Sequence, residues 1–164
     1  MATQIKNIPE KYVGDIEVDA VRKAYENRGF WYYFLVKEGL DNGLSLNFAR
    51  DALREAGEYL AANRFKNCKT IKEFADTFMT FGVKKVNEGE ITKLTDNEME
   101  VKLGYCPLIT AWQKLTDDVE YIGELCDVCM DMDRGIAKGK NMEFELKGTI
   151  AKGDPKCVFR FKMK

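Results

Sequence analysis

Glu98-Met99-Glu100-Val101-Lys102-Leu103-Gly104 decides the fold, because here the apolar period drops from about 3.6 residues to 2. Met99, Val101 and Leu103 alternate with Glu98, Glu100 and Lys102, the pattern of an antiparallel strand with one buried face. Val86 to Leu94 supplies its hairpin partner across Asp96-Asn97. A second hairpin is expected at the end of the chain. There Met142, Phe144 and Leu146 alternate with Glu143, Glu145 and Lys147, a turn follows at Gly153-Asp154-Pro155-Lys156, and Cys157, Phe159, Phe161 and Met163 share one face.

The rest reads as helix. Val18 to Glu38 ends at Gly39 and the Asp41-Asn42-Gly43 turn. Its Phe30-Trp31-Tyr32-Tyr33-Phe34 run is aromatic all the way round, so enclosure on most sides or a cavity wall is expected. Ser45 is the expected cap of a helix over Leu46 to Asn63, and Thr70 caps Ile71 to Thr80. A short helix opens at Cys106-Pro107 and runs to Leu115, and a long one follows from Asp117 to Ala137. Three helices, a hairpin, two helices and a hairpin, without regular βα alternation, predict an α+β fold: a four-stranded antiparallel sheet covered by helices, as a single domain over residues 1–164.

Composition narrows the function. The 26 basic and 27 acidic residues nearly cancel and form no long like-charged run, so no nucleic acid partner is expected. The longest apolar run, Phe30 to Val36, falls short of the roughly 20 residues of a spanning helix, and the polar stretch Met1 to Lys11 lacks a signal-peptide core. A soluble cytoplasmic protein is the expectation, with a homo-oligomer left open. Five cysteines, an odd number, fit a reduced protein better than a disulfide scaffold. Zero histidines exclude Ser-His-Asp triads, Cys-His pairs and histidine-held metals, so proton transfer falls to Asp, Glu, Lys, Tyr or Cys.

The most loaded position is Asp133. At about 100° per residue, Ile122, Cys126, Cys129, Met130, Asp133 and Ala137 fall within one arc of the long helix, while Glu120, Glu124, Asp127 and Asp131 point elsewhere. A carboxylate on an apolar face must be paired, protonated or used, since burying it alone costs several kcal/mol. Cys106, at a helix start where backbone N–H groups favour a thiolate, is the expected nucleophile. Cys157 points with Phe159 and Phe161 to one side of the last strand, and joins the other thiols if that side of the sheet receives the long helix. Two other readings stay open: the cysteines pack as small hydrophobes with Asp133 a structural acid bonded to Arg160, Arg134 or backbone, or Cys106, Cys126 and Cys157 hold zinc or an iron–sulfur cluster.

Thr149-Ile150-Ala151-Lys152-Gly153-Asp154-Pro155-Lys156-Cys157-Val158-Phe159-Arg160 resembles the closing pattern T-I-x-x-G-x-x-x-C-x-F-R of the L-2-amino-thiazoline-4-carboxylic acid hydrolase family. Tyr105-Cys106-Pro107, Glu124-Leu125-Cys126-Asp127 and Asp133-Arg134-Gly135-Ile136-Ala137-Lys138-Gly139 are similar to its other blocks, in order, so the resemblance covers residues 100–161. It implies opening of a cyclic amidine, and a fold related to vinyl-reductase-like small-molecule-binding domains, so hydrolysis of a carbon–nitrogen bond in a small cyclic amidine or amide is the expected activity. Its motif positions fall on Cys106, Cys126, Asp133, Thr149, Gly153, Cys157 and Arg160, whereas Cys129 lies outside the pattern. For that chemistry, Cys106 would attack the amidine carbon and Asp133 would hold the amidinium and carry protons. Cys126, Cys157 and Thr149 would line the substrate, and Arg160 or Arg134 would clamp its carboxylate. A thiolate-held metal activating water is the alternative within the same site, and a non-catalytic binder of an apolar or cofactor-like ligand against Phe30 to Phe34 the alternative outside it.

Overall fold

The computed structural model describes residues 4–164; Met1 to Thr3, the start of the polar lead-in, lie outside the described residues. Six α-helices and four strands are formed among them: α1 Ile16–Asp41, α2 Asn47–Asn63, α3 Ile71–Phe78, β1 Glu90–Leu94, β2 Glu98–Leu103, α4 Pro107–Gln113, α5 Val119–Cys129, α6 Asp131–Gly139, β3 Met142–Gly148 and β4 Cys157–Met163. A π-helical turn, Gly82–Val86, stands where the first strand was expected to begin, and a 3-10 turn, Ile150–Lys152, joins β3 to β4.

The sheet runs β1-β2-β4-β3, antiparallel throughout, with Met99 opposite Phe161 and Val101 opposite Phe159. Alternation in β2 and β4 divides its faces as expected. Met99, Val101, Phe159 and Phe161 are buried against α3 and α6, and the Phe74 and Phe161 rings meet at 4.9 Å. On the opposite face Arg160 pairs with Glu98 (3.2 Å) and Glu145 (2.6 Å). A second core forms where α1, α4 and α5 meet, around Trp112, Ile109, Ile122 and Leu125.

Three local expectations are corrected. The long helix breaks at Met130, whose ψ of −8° separates α5 from α6. Ser45 does not cap α2, whose N-cap is Leu46 without a side-chain hydrogen bond. The aromatic run is not enclosed: Trp31 is 69% and Phe34 55% exposed, while Tyr32 turns inward and donates to the Leu125 carbonyl at 3.2 Å. Thr70, by contrast, makes the expected cap, reciprocated by Glu73 in a capping box.

The Asp133–Gly139 block of the family pattern has a packing reason. A Cβ at Gly57 on α2 would collide with the Met132 carbonyl oxygen, and one at Gly135 on α6 with the Arg54 carbonyl, so the two backbones touch at a glycine-on-glycine crossing. Gly135→Ala is therefore expected to cost about 1–3 kcal/mol, because backbone cannot move aside as a side chain can. Gly123→Ala on α5 is the control: its Cβ would meet Lys152 Cγ at 3.7 Å, an ordinary contact. Urea unfolding of both variants checks the contrast; equal stabilities would contradict it.

Candidate active site

Cys106 is the N-cap of α4, with Pro107 at the first helical position. Its backbone is held from 99 residues away: Cys106 N–H donates to Asn7 Oδ1 at 3.0 Å, and Asn7 Nδ2 donates to the Cys106 carbonyl at 2.8 Å. Asn7 sits in the polar lead-in and carried no sequence signal. The amides of Ile109 and Leu108 and the Arg28 guanidinium favour the Cys106 thiolate, yet burial outweighs them and pushes the thiol up. The expected low-pKa nucleophile is thus a neutral thiol at rest, because desolvation exceeds what one helix terminus returns.

Three further thiols come within electrostatic reach of it. Burial raises Cys126 well above its ordinary value, with Cys157, Cys106 and Cys129 adding to the rise and the Thr149 hydroxyl opposing it. Burial likewise pushes Cys157 up to about 12, although the Ile150 N–H donates to its sulfur at 3.4 Å. Cys129 is also pushed up to about 12, mainly by burial, with Arg28 and Tyr32 opposing and Asp133 adding to the rise. Cys68 stands apart, 3.3 Å from Thr77 Oγ1. All five cysteines are free. Among the described residues no three Cys, Asp or Glu groups converge as a metal-ligand set, so Cys106, Cys126 and Cys157 are neighbours without the geometry of zinc or cluster ligands.

The Thr149–Cys157 motif builds the turn that delivers the last of these thiols. Thr149 caps the 3-10 turn, accepting from Lys152 N–H at 3.2 Å, and Asp154 accepts the Thr149 N–H at 2.8 Å. Gly153 adopts φ +92°, a left-handed conformation that glycine enters without a Cβ penalty. Thr149 is therefore a buried turn residue with its hydroxyl beside Cys126.

Asp133 borders a cleft of about 230 Å³ enclosed by α1, the end of α2, α3, α6 and the sheet. Leu60, Phe65, Phe78, Met130, Ile136 and Phe159 form apolar walls, and Tyr25, Arg28 and Arg64 bring polar groups. Burial raises the Asp133 carboxyl to about 7; Arg134 and its own backbone N–H only partly oppose this. Among the described residues it has neither an ion pair nor a hydrogen bond to another side chain, which leaves its carboxyl available to whatever enters the cleft.

Neither arginine expected to clamp a substrate faces this cleft. Arg160 is on the outer face of the sheet, as the strand parity of Cys157, Phe159 and Phe161 already implied. Arg134 bonds to Asp127 (2.7 Å) and Asp131 (3.2 Å). Asp131, expected to point away from the core, is fully buried, and it accepts from Arg50 at 2.7 Å and Arg54 at 2.9 Å. The i, i+4 arginine pair on α2 was the sequence signal for it.

No helix among the described residues is long and apolar enough to cross a membrane. Among solved structures, the chain is similar to a trafficking protein particle complex subunit 3 from Naegleria fowleri covalently bound to palmitic acid. The two share 17% identity and a TM-score of 0.59, covering 87% of this chain and 96% of that one, a likeness of fold. No curated protein matches the chain. The family model for L-2-amino-thiazoline-4-carboxylic acid hydrolase matches residues 31–161, which extends the likeness seen in residues 100–161 through most of the helical N-terminal half. The Cys106, Cys126, Asp133, Thr149 and Cys157 positions all lie inside that match, and the chain belongs to the L-2-amino-thiazoline-4-carboxylic acid hydrolase family.

Proposed function

We propose that the protein is a hydrolase of small cyclic amidines of the 2-amino-thiazoline-carboxylate kind, acting in the Asp133 cleft. The observation that carries this is Asp133 itself: an unpaired carboxyl raised to about 7, on a cleft wall, within electrostatic reach of Cys129. A carboxyl titrating near neutrality serves both as acceptor and as donor of protons, which is the role histidine would otherwise take. In this reading the ionised Asp133 pairs with the ligand's amidinium. It then receives the proton lost as the Cys106 sulfur adds to the amidine carbon, and returns it to the ring nitrogen as the ring carbon–nitrogen bond breaks. Water then adds to the same carbon, and the bond from that carbon to the Cys106 sulfur breaks; a proton from the water goes to the sulfur, which restores the thiol and releases a carbamoyl product. Family membership supports the reaction class, and five free thiols agree with a cytoplasmic setting.

A second reading is a binder without turnover, favoured by the apolar walls and by the palmitic acid held covalently in the protein of similar fold. Its place would be the same cleft. The Trp31, Phe34 and Leu35 surface lies along the outer side of one helix and encloses nothing. The cleft's volume of about 230 Å³ is smaller than the roughly 300–1,000 Å³ of sites for drug-sized molecules, which favours a small ligand over a long chain. Turnover of 2-amino-thiazoline-4-carboxylate by the wild type separates the two readings, and Cys106→Ser tests the nucleophile. As a nucleophile its loss lowers turnover of 2-amino-thiazoline-4-carboxylate by about 100-fold or more while the melting temperature is kept. Undiminished turnover would remove Cys106 from that role.

A further inference from the structure

We infer that Arg28 selects the ligand by pairing with a carboxylate on it, so that the cleft takes a small zwitterion with its cationic end on Asp133 and its anionic end on Arg28; this rests on the reading of the Asp133 cleft as the ligand site. The other arginines near the core are committed. Arg22 is bound to Glu88 at 3.0 Å, Arg50, Arg54 and Arg134 to Asp131, and Arg160 to Glu98 and Glu145. Arg64, the other cation on the cleft, donates to the Thr77 carbonyl at 2.8 Å and lies over the Phe65 ring.

Arg28 alone of the cleft's cations has neither an ion pair nor a hydrogen bond among the described residues, and it lines the cleft beside Tyr25. Its guanidinium carbon sits 4.6 Å from the Tyr25 ring centroid, a stacking that fixes the plane of the group while leaving its N–H edge available. That edge suits two-point binding of a carboxylate. Glu26, the acid nearest in sequence, is taken by Lys114, and Asp133 makes no ion pair with Arg28. The charge of Arg28 is therefore left for something that enters. Its charge also biases Cys106 and Cys129 toward ionisation, so Arg28 links the cleft electrostatically to these thiols, neither of which lines the cleft itself.

The test is calorimetric binding of L-2-amino-thiazoline-4-carboxylate and of its uncharged methyl ester to the wild type, Arg28→Gln and Arg28→Lys. The wild type is expected to prefer the acid over the ester by about 10- to 100-fold, the range of a charge-assisted pair. Arg28→Gln should abolish that preference and Arg28→Lys should keep part of it, with unfolding midpoints shifted little in both, because Arg28 is exposed and its stacking on Tyr25 is its one contact of note. Acid bound equally by the wild type and Arg28→Gln would overturn the role of Arg28 and leave the cleft as the ligand site. Acid and ester bound equally by the wild type would overturn it too. Neither compound bound by the wild type would overturn the reading of the cleft, and this inference with it.

Discussion

Asp131→Ala is expected to destabilise the protein by about 3 kcal/mol, measured as the loss of unfolding free energy in urea at pH 7. Asp131 is fully buried at the start of α6, and three guanidinium groups converge on it: Arg50 at 2.7 Å, Arg54 at 2.9 Å and Arg134 at 3.2 Å. Removing the carboxylate strands these cations in part, since Asp127 still pairs with Arg50 at 2.8 Å and Arg134 at 2.7 Å. The partial exposure of the arginines keeps the loss toward the lower end of the roughly 3–5 kcal/mol typical of a broken buried pair. Arg54→Ala should cost less than about 1 kcal/mol, because Arg54 is half exposed and Asp131 keeps two partners. Equal losses for Asp131→Ala and Arg54→Ala would contradict Asp131 as the hub.

Asp133→Asn is expected to act in the opposite direction on stability. Below pH 3.8 the carboxyl is protonated in both the folded and the unfolded chain and changes nothing. As pH rises from 3.8 toward 7 the unfolded carboxyl ionises while the folded one stays neutral, so the unfolded state gains and stability falls; above 7 the penalty is constant. The gap between about 7 and the ordinary 3.8 corresponds to roughly 4 kcal/mol at most, and solvent in the cleft reduces it to about 2–4 kcal/mol. Asp133→Asn removes the penalty. Unfolding in urea should show the variant more stable than the wild type at pH 8 and level with it at pH 4. A difference independent of pH would mean that Asp133 is an ordinary surface acid. A protein that keeps a destabilising carboxylate in a cleft is trading stability for chemistry.

Strand parity and helix period carried most of the architecture. Met99-Glu100-Val101-Lys102 and Cys157-Val158-Phe159-Arg160 each contain their own face assignment, because a strand alternates residue by residue. That same parity places Arg160 away from the thiol side, a consequence legible in the order of the residues alone. A single unbroken wheel through Met130 misplaces Asp131, because a change of helix phase moves every side chain beyond it. The exposed Trp31 and Phe34 follow from a different limit, since composition shows that a helix face is apolar and says nothing of what covers it.

Within the site, helix spacing put Cys126 and Cys129 on one face, whereas the protonation of the thiols was not legible. A helix start favours a thiolate, and only the surrounding burial shows that the neutral form prevails at Cys106. Asn7 and Arg28 were invisible for the complementary reason: each acts across long sequence separation, Asn7 on Cys106 and Arg28 on the cleft, through contacts that no local pattern encodes.

The pH dependence of kcat/KM for 2-amino-thiazoline-4-carboxylate, measured on the wild type and Asp133→Asn, bears most directly on Asp133 as the proton carrier of a histidine-free thiol site. The wild-type profile should rise through an apparent pKa near 7, and the variant should be slower by about 100-fold or more with that rise gone. A wild type without turnover, or a variant with the same rate and the same profile, would contradict the assignment.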